Sequence, residues 1–226
     1  MSAALASVGV VSGLAMDQQV TRLVVIRHGE TDWNAGQRVQ GHTDIELNPL
    51  GVWQAERMAE ALADEGVQAI YSSDLRRARA TAEALARRVG LPVQVAPGLR
   101  EREFGAFEGL TFAEIDARWP AEARLWRGRD LAFAPPHGGE ALLPFYRRVV
   151  GTGEALAARH RGQLVALVAH GGVLDCLYRA AARVALDAPR SWMLGNATVN
   201  RLLHSDQGFT LVGWNDAAHL NLPPAG

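Results

Sequence analysis

Two unbroken apolar runs stand out along the chain, Leu23-Val24-Val25-Ile26 and residues 164–169. Runs of branched apolar residues this short, bounded by polar positions, predict strands buried on both faces of a sheet. Both runs end alike: the first passes into Arg27-His28-Gly29-Glu30 and the second into His170-Gly171-Gly172. Between them the apolar spacing becomes helical. Asn48-Pro49 reads as an N-cap followed by proline at the first helical position, and Val52, Ala55, Ala59 and Leu62 then share one face until Gly66 stops the helix. Residues 67–71 predict a strand, and Leu75, Ala78, Ala82, Leu85 and Val89 mark the buried stripe of the next helix, whose first turn carries Arg76, Arg77 and Arg79. A short strand at 92–96 precedes a loop, 98–109, in which glycines and aromatics surround charged residues, the composition of a structured loop rather than a linker.

Residues 111–139 are less regular. Short helices at 111–119 and around 124–126, followed by a turn at 135–139, predict a small lid, with Trp119, Arg124, Trp126, Arg127 and Arg129 available to line a substrate entrance. A long helix spans about 144–160, with Phe145, Val149, Thr152 and Leu156 inward, and another follows His170 to about residue 185. Residues 199–204 and 209–214 flank Asp206-Gln207-Gly208 and predict a closing antiparallel pair. Strands alternating with helices imply an α/β fold: a three-layer α/β/α sandwich, its central sheet mostly parallel, with helices on both faces and the lid insertion above one end. One domain is expected over 17–226. Residues 1–16 are small and apolar without a preceding positive charge, so they read as a loose tail, or as residues ahead of a true start at Met16, and not as an export signal.

Composition narrows the function. The 226 residues carry 23 basic and 24 acidic side chains, a formal charge of -1, so the chain has no field suited to nucleic acid. No stretch is long and apolar enough to suggest a membrane span. The single cysteine, Cys176, lies in a helical apolar pattern, reads as a buried spectator, and is compatible with the cytoplasm. The chemistry is expected where the strands end, since open α/β sheets bind ligands outside the carboxyl ends of their strands. There Arg27 offers a planar fork for phosphate or carboxylate, and His28 a nucleophile or proton carrier. One arginine of 76–79 can face His28 if the two strands concerned are neighbours. His28 and His170 could also ligate zinc, but a third ligand is lacking and Arg27 would repel the cation.

Several separated motifs then combine: Arg27-His28-Gly29-Glu30 with Trp33-Asn34; Gln40-Gly41 leading to Gly51; Tyr71-Ser72-Ser73-Asp74-Leu75-Arg76-Arg77-Ala78; Leu99-Arg100-Glu101 through Gly105 to Glu108-Gly109; and His170-Gly171-Gly172. In this order, over about residues 21–175, they resemble the histidine phosphatase superfamily, in the branch that includes cofactor-dependent phosphoglycerate mutase. The resemblance implies that His28 is the nucleophile that becomes phosphohistidine. It implies that Arg27, Arg77 and His170 hold the phosphoryl oxygens, and that Asn34, Gln40, Gly41 and Gly171 contact the substrate. It makes Glu101 the proton donor, with Glu103 and Glu108 structural, and His170 is expected to favour its charged form beside phosphate.

Within that family a small phosphatase is the closer match. The mutases' longer insertion is missing, Phe112 stands where their lysine is expected, and Pro136-His137-Gly138-Gly139-Glu140 resembles a turn of the small phosphatases. Arg102 matches a mutase substrate contact and keeps the mutase as an alternative; a phosphate-binding domain without catalysis is a third reading. The implied partner is a small phosphorylated metabolite, handled by a monomer or homodimer without metal or cofactor, 2,3-bisphosphoglycerate being required only by a mutase.

Overall fold

A computed structural model describes residues 20–221; the expected tail at 1–16 lies outside the described residues. Its centre is a six-stranded sheet in the order β3-β2-β4-β1-β5-β6, formed by β1 (Thr21–Arg27), β2 (Ala69–Ser72), β3 (Val93–Val95), β4 (Leu164–Ala169), β5 (Val199–Ser205) and β6 (Gly208–Asp216). The first four strands pair in parallel, and β5 and β6 add the antiparallel pair. β1 and β4 are adjacent in register, Arg27 opposite Ala169, so the residues after each strand emerge side by side. That register explains the echo between the two apolar runs.

The sheet is covered on both faces, as the three-layer expectation requires. Leu23, Val25, Val165 and Leu167 point into one core against α6 (Leu142–Ala158) and α7 (Gly171–Ala182). Val24, Ile26, Ala166 and Val168 point into the other, against α2 (Pro49–Leu62) and α3 (Arg76–Val89). Every residue of β4 is buried, which is why the strand reads as a continuous apolar run with no alternation. The lid has a small core of its own. Val39, Phe107, Ile115 and Ala123 are buried beneath Trp119, Trp126 and Phe133, and this cluster ties α4 (Phe112–Arg118) and α5 (Pro120–Arg127) to the body.

Some expectations shift. Val52 was placed on the buried face of α2 but is 51% exposed; Gly51 and Met58 complete that face with Ala55, Ala59 and Leu62. The helix ends at Leu62, and Gly66, at φ 75°, belongs to the turn beyond it. α6 begins at Leu142, since Pro144 in its first turn breaks no intrahelical bond. β1 and β2 are not neighbours, because β4 lies between them, so an arginine from α3 must reach past the end of β4. The loop after β1 also contains the four-residue helix α1 (Asp32–Ala35), closed by a reciprocal Thr31–Asn34 capping box.

Candidate active site

His28 stands just beyond β1 and is 3% exposed. Its Nδ1 lies 2.7 Å from the Gly29 carbonyl oxygen, which can only accept, so Nδ1 carries the proton and Nε2 keeps its lone pair. Burial, then the charges of Arg77 and Arg27, push this imidazole well below its ordinary value of 6.5. His28 is therefore neutral at physiological pH, the form a nucleophile needs. The turn that holds it is packed backbone to backbone: a Cβ on Gly29 would lie 2.3 Å from the Gly51 carbonyl oxygen, and one on Gly51 2.0 Å from that of Glu30. Gly29 thus admits the first turn of α2 as its close neighbour.

His170 caps α7, its ring centroid 5.2 Å from that of His28. Ser73 Oγ accepts the Leu75 N–H and shares a 2.7 Å hydrogen bond with His170 Nε2, while His170 Nδ1 is buried with no protein partner. Burial and Arg77 push His170 well below 6.5 too. The protein's own groups thus run against the expected charged form, which only an anion beside the ring could favour.

Arg77, 1% exposed, is the arginine of 76–79 that turns inward; Arg76 and Arg79 pair with Glu46 and Glu83 at the surface. Its Nη1 and Nη2 donate to the Thr43 and Gly41 carbonyls at 3.0 and 2.8 Å, and burial lowers it to about 10, still a cation at neutral pH. Arg27 donates to the Leu194 carbonyl at 2.5 Å and is lowered by burial against the opposing charge of Glu101. The Nε atoms of both arginines are buried without a partner, as are His170 Nδ1 and Gln40 Oε1. Arg27, His28, Arg77 and Gln40 line a cavity of ≈ 330 Å³ together with Asn34, Gly41, Glu101 and Gly171, and the His170 ring lies against that of His28. Unsatisfied buried donors on two arginines beside a neutral imidazole suit a tetrahedral oxyanion.

Glu101, 9% exposed, is aimed by backbone: Oε1 accepts the Arg102 N–H at 2.8 Å and Oε2 the Gly172 N–H at 3.0 Å. Glu108 is occupied otherwise, taking N–H bonds from His42, Thr43 and Phe104, which fits its expected structural part. Gly41, at φ 55°, abuts that carboxylate, so no side chain fits there. Asn34 accepts at Oδ1 from Thr31 and from Asn196, whose Nδ2 also donates to the His28 carbonyl at 2.9 Å.

Beyond this inner cavity the cleft widens into a chamber of ≈ 700 Å³, sharing Arg27, Phe104, Phe112, Trp126 and Gly171 with it. Arg102 lies here rather than in the inner cavity, its Nε and Nη2 bound to the Glu140 and Phe133 carbonyls at 2.7 and 2.8 Å. Of the lid residues expected at an entrance, Trp126, Arg127 and Arg129 line the chamber. Trp119 instead packs on Phe107 within the lid core, and Arg124 faces a separate surface hollow. Sequence reasoning missed the segment 189–196, which supplies Arg190, Trp192, Met193 and Leu194 to the chamber wall and Asn196 to the His28 backbone. Its only signal is the cluster of polar and aromatic residues between α7 and β5. Among the described residues no group of three or more His, Cys, Asp or Glu is placed to hold a metal.

A sequence profile of the histidine phosphatase superfamily (branch 1) matches residues 23–217. The chain belongs to that superfamily. The match runs beyond the motifs, through β5 and β6. Among its relatives, a glucosyl-3-phosphoglycerate phosphatase of Mycolicibacterium vanbaalenii is 41% identical over 188 residues, covering 80% of this chain and 83% of that protein. A metal-independent phosphoserine phosphatase of Arabidopsis thaliana is 35% identical over 208 residues, covering 91% and 86%. The solved structure of a mycobacterial glucosyl-3-phosphoglycerate phosphatase in complex with VO3 superposes with a TM-score of 0.78 at 39% identity, covering 87% of this chain and 99% of that one. A relative that is metal-independent by name agrees with the expectation that the site needs no metal or cofactor.

Proposed function

We propose that this superfamily member is a phosphomonoesterase working through a phosphohistidine on His28. The observation that carries the reading is the convergence of Arg27 Nε, Arg77 Nε and His170 Nδ1, buried and unpartnered, around a His28 whose Nδ1 proton is engaged elsewhere. In the first step the Nε2 lone pair attacks phosphorus, the ester P–O bond breaks, and the departing alkoxide takes the proton of the Glu101 carboxyl group. The two arginines and His170 stabilise charge on the equatorial oxygens. In the second step the Glu101 carboxylate takes a proton from water, the oxygen attacks phosphorus, the N–P bond breaks, and orthophosphate leaves with His28 restored.

The substrate is a small phosphorylated metabolite. Phosphoserine and glucosyl-3-phosphoglycerate, for which the relatives are named, both carry a carboxylate near the ester, and Arg102, Arg127 and Arg190 supply cations to the chamber where it would lie. Water, rather than a second sugar acid, is the acceptor in this reading, since the position matched to the mutases' lysine is Phe112, stacked on Trp126 at 5.2 Å. The single cysteine, buried in α7, suits a reducing compartment and a cytoplasmic enzyme. The test measures phosphate release and isomer conversion together, on 3-phosphoglycerate with and without 2,3-bisphosphoglycerate and on a panel of phosphomonoesters. Steady phosphate release without appreciable 2-phosphoglycerate is expected. Rapid bisphosphoglycerate-dependent interconversion with little release would make the enzyme a mutase, and no turnover of any ester would make it a binding domain.

A further inference from the structure

Outside the phosphoryl cavity three more buried polar atoms lack a partner, and they lie together: Asp175 Oδ1, Arg179 Nη2 and Trp192 Nε1. Asp175, 5% exposed and one turn into α7, gives Oδ2 to both Arg129, at 2.8 Å, and Arg179, at 2.9 Å, leaving Oδ1 bare. Arg179 is 1% exposed and lies behind it, donating Nη1 to the Ala185 carbonyl at 2.5 Å, its guanidinium carbon 4.7 Å from the centre of the Trp192 ring. That ring is stacked on Tyr178 with centroids 4.0 Å apart, which holds the plane of the indole. Asp175 and Trp192 both line the large chamber.

A buried acceptor beside buried donors, all unpaired, is costly unless something from the cleft completes them. The chemistry of that group follows from what is missing. A carboxylate would meet the Asp175 oxygen with like charge. An ammonium group would leave the indole N–H unanswered and would face Arg129 and Arg179, which already neutralise Asp175, in a chamber that Arg190 also lines. A hydroxyl both donates and accepts, so one hydroxyl, or a vicinal pair, satisfies Asp175 Oδ1 and Trp192 Nε1 together. The reach also fits. Gly171 touches both compartments, and Asp175 lies four residues along the same helix, about 6 Å at the α-helical rise, near the width of one sugar ring.

We propose that Asp175 and Trp192, backed by Arg179, form a hydroxyl-reading subsite that selects a polyhydroxylated, glycosyl-type leaving group over amino-acid or purely apolar ones. This rests on the phosphomonoesterase reading and adds specificity to it. The test compares kcat/KM for three esters: 2-O-glucosyl-3-phosphoglycerate, its 2-O-cyclohexyl analogue without ring hydroxyls, and 4-nitrophenyl phosphate. The wild-type protein should prefer the glucosyl over the cyclohexyl ester by on the order of a hundredfold, because the analogue leaves buried polar groups unpaired. Trp192→Phe keeps the stacked ring and removes only the N–H, and should shrink that preference about tenfold, chiefly through KM. Asp175→Asn should shift the preference in the same direction; Trp192→Phe carries the test if the loss of the Asp175 charge prevents folding. Equal kcat/KM for the two bulky esters, or a preference that Trp192→Phe leaves unmoved, would overturn the subsite while 4-nitrophenyl phosphate turnover still upheld the phosphatase. No hydrolysis of any of the three would overturn both.

Discussion

His28 and Glu101 are prepared for their parts by contacts no longer than a peptide. The Gly29 carbonyl takes the proton of His28 Nδ1, and the N–H groups of Arg102 and Gly172 fix the two oxygens of Glu101. If Glu101 gives its proton to the leaving alkoxide, the need for it grows with the basicity of that alkoxide. Glu101→Gln should therefore slow hydrolysis of an alkyl phosphate by about 10²–10⁴-fold and that of 4-nitrophenyl phosphate far less, read as the ratio of the two kcat/KM values; equal losses on both would remove the acid from the mechanism. At this scale the sequence was most informative. Arg27, His28 and His170 could be placed because they stand where two strands end side by side, whereas Arg77 among the first-turn arginines and Glu101 within its loop were singled out by the family resemblance. Ser73, Asn196 and Trp192 could not, because their significance lies in single hydrogen bonds or stacking contacts across long stretches of chain. Arg102 sits in the leaving-group chamber and not beside the phosphoryl group, a distinction its position next to Glu101 does not convey.

The elements converge through close approaches that only glycine permits. At the N-terminus of α7 a Cβ on Gly172 would come within 2.3 Å of Glu101 Oε1 and 3.1 Å of Phe145. Gly172→Ala should thus displace the Glu101 carboxyl while leaving Arg27, Arg77 and His28 in place. The expected result is a kcat loss of at least about tenfold on alkyl phosphates with the affinity for orthovanadate kept within about threefold; a loss of vanadate binding of the same size would mean that the whole pocket had shifted. The lid depends on Phe107, fully buried under Trp119, Trp126 and Phe133. Phe107→Ala should destabilise the fold by about 3–5 kcal/mol in denaturant titrations; a cost below about 1 kcal/mol would show the lid core to be loosely packed. Periodicity recovered most elements to within a few residues, and erred where it had least to work with. Val52 fits the helical stripe of α2, yet it alone of the four stripe residues faces solvent, and Gly51 beside it packs down onto the Gly29–Glu30 peptide. Strand order was beyond periodicity as well: nothing in the spacing of β1, β2 and β4 says that β4 inserts between the other two.

For the whole molecule, burying two imidazoles between arginines couples stability to pH. Both His28 and His170 are held below 6.5, so as pH falls through that value the unfolded chain takes up protons that the folded chain refuses. Stability is then fully present above pH 6.5 and declines below it, by up to about 1.4 kcal/mol per pH unit for each group. Urea titrations from pH 7.5 to 5.5 should show this decline, and His170→Asn should reduce its slope; a stability that rises on acidification would contradict the neutral imidazoles. The same arrangement sets what an anion does on entering: it adds negative charge beside the two imidazoles and so favours protonation of His170. The central claim is that the phosphoryl group passes through His28, and the most direct measurement is the intact mass of the enzyme quenched within milliseconds of mixing with a rapidly cleaved aryl phosphate. The account predicts a species heavier by one phosphoryl group, labile to acid and stable to alkali, mapped to the peptide containing His28 and abolished in His28→Ala. Turnover at full rate in His28→Ala, or a phosphoryl group found on any other residue, would contradict it.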